Sequence, residues 1–188
     1  MRTRKITSVS PFFGAAAALL LASRLSGAGL LITGGDKIQG SNQGNAQFVA
    51  AGVFFEKPLS RAFDARLEIF PAQLFRERAR PEREGPSHRV TVTASAACLL
   101  ARYHWRDGAR TSLFAEAGAG PFYAYSQPVP SGGTRGNFFD QVGVGARRGR
   151  WAYFLRFTHV SNANIGPQRH RGNPGLSFAA AGISWAFR

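Results

Sequence analysis

The chain holds a single cysteine, Cys98, so no disulfide within it can staple the fold. Its four histidines, His88, His104, His159 and His170, show neither a helical i, i+4 pair nor a cysteine cluster, which argues against a metal site. Neither metal nor cofactor is expected, and the histidines read mostly as surface residues. Acidic residues are scarce as well: ten Asp and Glu stand against twenty-four Lys and Arg, for a net charge of +14. Such a surplus suits an anionic partner. Zinc-finger spacing, a helix-turn-helix pattern and an RNP-type segment are all missing, which disfavours nucleic acid. Beyond residue 28 there is no apolar run of about 18 residues, so a helical membrane protein is excluded.

What is present begins with a basic start, Met1-Arg-Thr-Arg-Lys5, followed by the short apolar run Pro11 to Ala22. With the small residues Ser26-Gly-Ala28 behind it, this has the pattern of a secretory signal peptide over 1–28, and an N-terminal membrane anchor is the alternative. One domain is expected over 29–188. The segment 1–28 carries four bases (Arg2, Arg4, Lys5 and Arg24) and no acid, so the net charge falls to +10 without it. Nearly all of the remaining positive charge is arginine, whose planar fork of donors suits phosphate, as on an anionic lipid headgroup.

The rest of the chain alternates with period two in segments of about ten residues, the length of a transmembrane β-strand. They fall at roughly 28–37, 44–56, 61–75, 88–104, 111–126, 136–147, 150–161 and 176–187. Eight strands suffice to close a membrane barrel, so the expected fold is all-β, an eight-stranded antiparallel transmembrane β-barrel. A soluble β-sandwich is the alternative. Over 90–100 the apolar face (Val90, Val92, Ala94, Ala96, Cys98, Leu100) is expected outward and the polar face (Thr91, Thr93, Ser95) inward. At the C-terminal end Ile183, Trp185 and Phe187 are expected on the lipid face. Segments 74–87 and 126–136 read as long loops of the extracellular side, and Arg147-Arg-Gly-Arg150 as a tight periplasmic turn with Arg148-Gly149 as its two-residue loop.

One strand carries chemistry. Phe157-Thr-His-Val-Ser161 places His159 and Ser161 two apart, on the same face as Phe157, Leu155, Tyr153 and Trp151. A nucleophile and a base facing lipid suggest a lipid hydrolase.

Four segments extend this reading: Phe114-Ala-Glu-Ala-Gly-Ala-Gly120, Asn137-Phe-Phe-Asp-Gln-Val-Gly-Val-Gly145, His159-Val-Ser-Asn-Ala163 and Asn173-Pro-Gly-Leu176. Together they resemble the lipid A 3-O-deacylases of Gram-negative outer membranes (PagL type), eight-stranded barrels with a membrane-facing His/Ser/Glu triad. The resemblance implies Ser161 as nucleophile, His159 as general base and Asn162 as an oxyanion-hole residue. It implies lipopolysaccharide as partner, hydrolysis of the 3-linked hydroxyacyl ester of lipid A, and a site at the outer leaflet of the outer membrane. A homodimer is left open. The chain departs from the family at the glutamate, where Ser177 follows Gly175-Leu176, and no acidic residue occurs between Asn162 and Arg188. With Arg148-Gly149 as the loop, Asp140 falls one diagonal from His159 and is read as a supporting residue, as is Ser177. Glu116 is expected inside the lumen. The alternatives are a catalytically weak or inactive lipopolysaccharide-binding relative, and a structural outer-membrane barrel.

Overall fold

Alternation of inward and outward side chains carries through β1 (Gly27–Gly40), β2 (Ala46–Pro58), β3 (Phe63–Ala79), β4 (His88–His104), β5 (Ser112–Ala119), β6 (Pro121–Ala124), β7 (Gly136–Arg148), β8 (Trp151–Ser161) and β9 (Leu176–Ala186). These elements come from a computed structural model that describes residues 27–40, 45–79, 88–105, 111–126, 128–129, 134–161 and 175–187. The expected leader falls almost wholly outside the described residues. Every pairing is antiparallel, chain neighbours pair throughout except β5 with β6, and β1 pairs with β9 to close the ring. The expected fifth strand is split at Gly120 into β5 and β6, yet both pieces keep one register against β4 and against β7. They therefore count as one barrel strand, and the barrel has eight.

The outer wall is apolar. Leu99, Val142, Val144 and Leu155 are each more than half exposed, with Leu155 at 65 %. A surface of this kind is costly in water and at home in lipid. Aromatic residues ring the end with the short connections 59–62 and 149–150, where Phe63, Tyr103, Trp105, Trp151 and Phe187 lie exposed. As expected, Ile183 and Trp185 share the outer face with Phe187, while Ser184 is buried on the inner one. The connections 80–87, 125–135 and 162–175 leave from the opposite end, the extracellular one in barrels of this type.

The lumen is filled in two layers. Toward the long connections, Phe48, Phe75, Phe122 and Phe178 pack edge-to-face or stacked at centroid distances of 5.0–5.9 Å, an arrangement that contributes about 0.5–1.5 kcal/mol per pair beyond burial. Toward the short turns lies an ion network. Glu68 accepts from Arg66 (2.7 Å) and Arg156 (2.7 Å), Glu116 from Arg102 (2.8 Å) and Arg156 (2.7 Å), and Glu56 from Arg66 (2.8 Å), Arg102 (2.7 Å) and Arg147. Each of the three deepest guanidinium groups also stacks on a phenylalanine, Arg66 on Phe54, Arg102 on Phe114 and Arg156 on Phe154. Glu116 is thus inside, as expected. Part of the arginine surplus is internal and paired, so it does not all face an anionic partner.

The expectation for 90–100 is reversed: Val92, Ala94, Ala96, Cys98 and Leu100 point into the lumen, while Thr91 and Thr93 are exposed outside. The reason is that this lumen is filled with packed aromatic rings toward one end and paired ions toward the other, so it takes in the apolar face. An alternating strand separates two faces, but a packed barrel and a water-filled one place opposite faces inward.

Candidate active site

At the long-connection end of β8 the outward face changes character. Trp151, Tyr153, Leu155 and Phe157 are exposed, His159 is half-buried, and Ser161 is only 5 % exposed. The ladders set Asp140 of β7 and Ser177 of β9 directly opposite His159, one on each side. The imidazole turns toward β9: its Nδ1 lies 2.9 Å from the Ser177 hydroxyl, itself buried.

Gly175, immediately before β9, covers the other edge of the ring. A Cβ at that position would stand 2.5 Å from His159 Cε1, 2.9 Å from Nε2 and 3.3 Å from Ser161 Cβ. The Nε2 edge and Ser161 therefore border one gap that only glycine leaves open. No hydrogen bond joins His159 to Ser161 among the described residues. With Nδ1 bonded to Ser177 Oγ, Nε2 is the ring nitrogen left on the edge beside the gap that Ser161 also borders. Ser177 holds the ring but carries no charge to stabilise the imidazolium.

Two expectations change here. Asp140 is directly opposite His159 instead of one diagonal away, because Arg148 pairs with Trp151 and the loop is Gly149-Arg150. Gly149 has φ of 60°, the positive value that a two-residue hairpin needs at its first loop position. The slip is two residues, so every side chain keeps its face. No ion pair forms between Asp140 and His159 among the described residues, and it is Ser177 that bonds the ring. Asn162 lies outside the described residues. Gly175 served in the sequence only as a landmark; a glycine next to a strand edge is the signal that marks close approach.

Below His159 the lipid-facing wall carries an apolar groove of about 450 Å³ lined by Ile38, Val142, Leu155, Phe157 and Ala179. Val144 and Leu155 connect it to a second hollow of about 560 Å³ that reaches Trp105 and Ala181. Alanines on β9 between bulkier residues on β8 and β1 create this depression.

A closed antiparallel barrel with a packed lumen, an apolar outer wall and aromatic rings defines an outer-membrane β-barrel protein. Its candidate site adds a histidine and a serine on the lipid side. The chain belongs to the lipid A 3-O-deacylase (PagL) family, whose model matches residues 73–186. The crystal structure of the outer membrane enzyme PagL superposes with a TM-score of 0.60 at 16 % identity, covering 83 % of this chain and 98 % of that one. The outer membrane protein OprG from Pseudomonas aeruginosa gives 0.49 at 9 % identity, covering 88 % and 98 %. No curated protein matches.

Proposed function

We propose that this chain hydrolyses the 3-linked hydroxyacyl ester of lipid A in lipopolysaccharide, at the outer leaflet. Ser161 is the nucleophile, His159 its general base and Ser177 the group that orients His159, with Asn162 as oxyanion donor. One observation supports this above others: His159 is held by Ser177 with its Nε2 edge turned to the gap shared with Ser161, on the membrane face. The groove below gives an acyl chain an apolar path away from the ester. Treating purified lipopolysaccharide with the folded barrel and weighing the product by mass spectrometry tests the reading. Loss of one hydroxyacyl chain, absent with Ser161→Ala, is the expected result; an unchanged product overturns it. Pairing of two copies receives no support from the fold or the family.

The neutral Ser177 favours a second reading, a relative that binds lipopolysaccharide and turns it over weakly. Ser177→Glu separates the two. A carboxylate opposite His159 is expected to raise turnover about 10-fold or more, about 1.4 kcal/mol of transition-state stabilisation. A folded Ser177→Glu barrel without gain means that the orienting charge is not what limits the site. Asp140→Asn, assayed alongside, should lower turnover if the facing carboxylate supports His159 through space.

Gly175→Ala tests the gap itself. The new methyl must displace the imidazole or the backbone of residue 175, and a misplacement of about 1 Å costs on the order of 10²-fold in rate. Expected are that loss and unchanged heat-modifiable migration on gels. Wild-type turnover would show that the gap is not used.

A further inference from the structure

At the opposite end of the barrel, three inward positions on successive strands meet. Asp64 is the second residue of β3, His104 the last of β4 and Ser112 the first of β5. His104 Nε2 lies 2.8 Å from Asp64 Oδ2, and Nδ1 lies 3.0 Å from Ser112 Oγ. The side chains of His104 and Asp64 are 9 % and 14 % exposed, and Ser112 is only partly buried. His104 is thus an exception to the expectation that most of the histidines are surface residues.

The hydrogen-bond order is acid, base, nucleophile. Asp64 accepts Nε2–H and so fixes the tautomer, which leaves the Nδ1 lone pair to accept the Ser112 hydroxyl proton. Here Nδ1 faces the nucleophile, the reverse of the usual use of the ring. Arg147 lies opposite Ser112 in the β5–β7 ladder and, at 27 %, has the most exposed side chain of the lumen arginines. Its guanidinium is paired with Glu56, so Arg147 borders the cluster from the neighbouring strand and links it to the ion network.

We propose that Ser112, His104 and Asp64 form a second esterolytic site, separate from Ser161, that takes small water-soluble carboxylic esters from the short-turn mouth of the barrel. The side chains face the lumen with the ion network on their inner side, so the serine is presented toward the barrel mouth and away from the lipid-facing wall. In the step, the Ser112 Oγ–carbon bond forms while its proton passes to His104 Nδ1. Collapse of the oxyanion breaks the carbon–oxygen bond to the alcohol, which leaves with that proton. Water then hydrolyses the acyl-serine to the carboxylic acid and restores the hydroxyl.

The test uses the full chain folded in detergent, with p-nitrophenyl acetate as substrate and a small fluorophosphonate as covalent probe mapped by peptide mass spectrometry. Expected is phosphonylation of Ser112, with displacement of fluoride, and nitrophenol release that persists in Ser161→Ala. Ser112→Ala should lower that release at least about 10-fold, and His104→Ala and Asp64→Asn should each slow labelling at Ser112 by a similar factor. A folded wild-type barrel that shows no label at Ser112, or a label whose rate ignores His104, overturns the proposal and leaves the trio as a clamp between β3, β4 and β5. The label on unsubstituted protein decides the matter even if a variant does not fold.

Discussion

Ser161→Ala and His159→Ala are each expected to bring release of the hydroxyacyl chain down to background, a loss on the order of 10⁴-fold, and the double variant should fall no further. A nucleophile and its base act as one unit, so their losses do not add. The geometry motivates the equality: the Nε2 edge of His159 has Ser161 as its hydroxyl neighbour across the Gly175 gap, and its other nitrogen is committed to Ser177. Asn162→Ala should cost less, on the order of 10²-fold, the worth of one oxyanion donor. Mass spectrometry of lipopolysaccharide after a fixed incubation reads all four variants. Turnover near wild type in Ser161→Ala would remove serine catalysis from the account, whatever the other variants do.

Glu68→Ala carries the largest expected effect on stability, about 3–5 kcal/mol. Glu68 is fully buried and binds Arg66 and Arg156 from within the lumen, through contacts of 2.7–2.8 Å. Removing it takes one of two carboxylate partners from each of these buried guanidinium groups, leaving Arg66 only Glu56 and Arg156 only Glu116. Asp36, which accepts a hydrogen bond from Gln47 on the exposed outer face, is the control, and Asp36→Ala should change stability by less than about 1 kcal/mol. Urea unfolding of barrels in lipid vesicles measures both. Equal losses at the two positions would mean that the lumen network contributes no more than a surface contact.

The fold class, the eight barrel strands and the placement of His159 and Ser161 on the lipid face followed from the sequence, because period-two alternation and turn residues are local properties. Family membership was legible for the same reason, in the His-Val-Ser-Asn run and the glycine-rich strands around it. Three things were not. Which face of β4 points inward depends on whether the lumen holds water or packed rings, and that is decided by Phe48, Phe75, Phe122 and Phe178 arriving from strands far apart in sequence. The pairing of Asp140 with His159 turned on which two residues form the hairpin loop, a choice made by the positive φ of Gly149. The hydrogen bonds that define both clusters, His159 with Ser177 and His104 with Asp64 and Ser112, join different strands. Alternation assigns a side chain to a face and gives it no neighbour; register and barrel closure supply the neighbour, and so only the tertiary structure decided which polar groups meet.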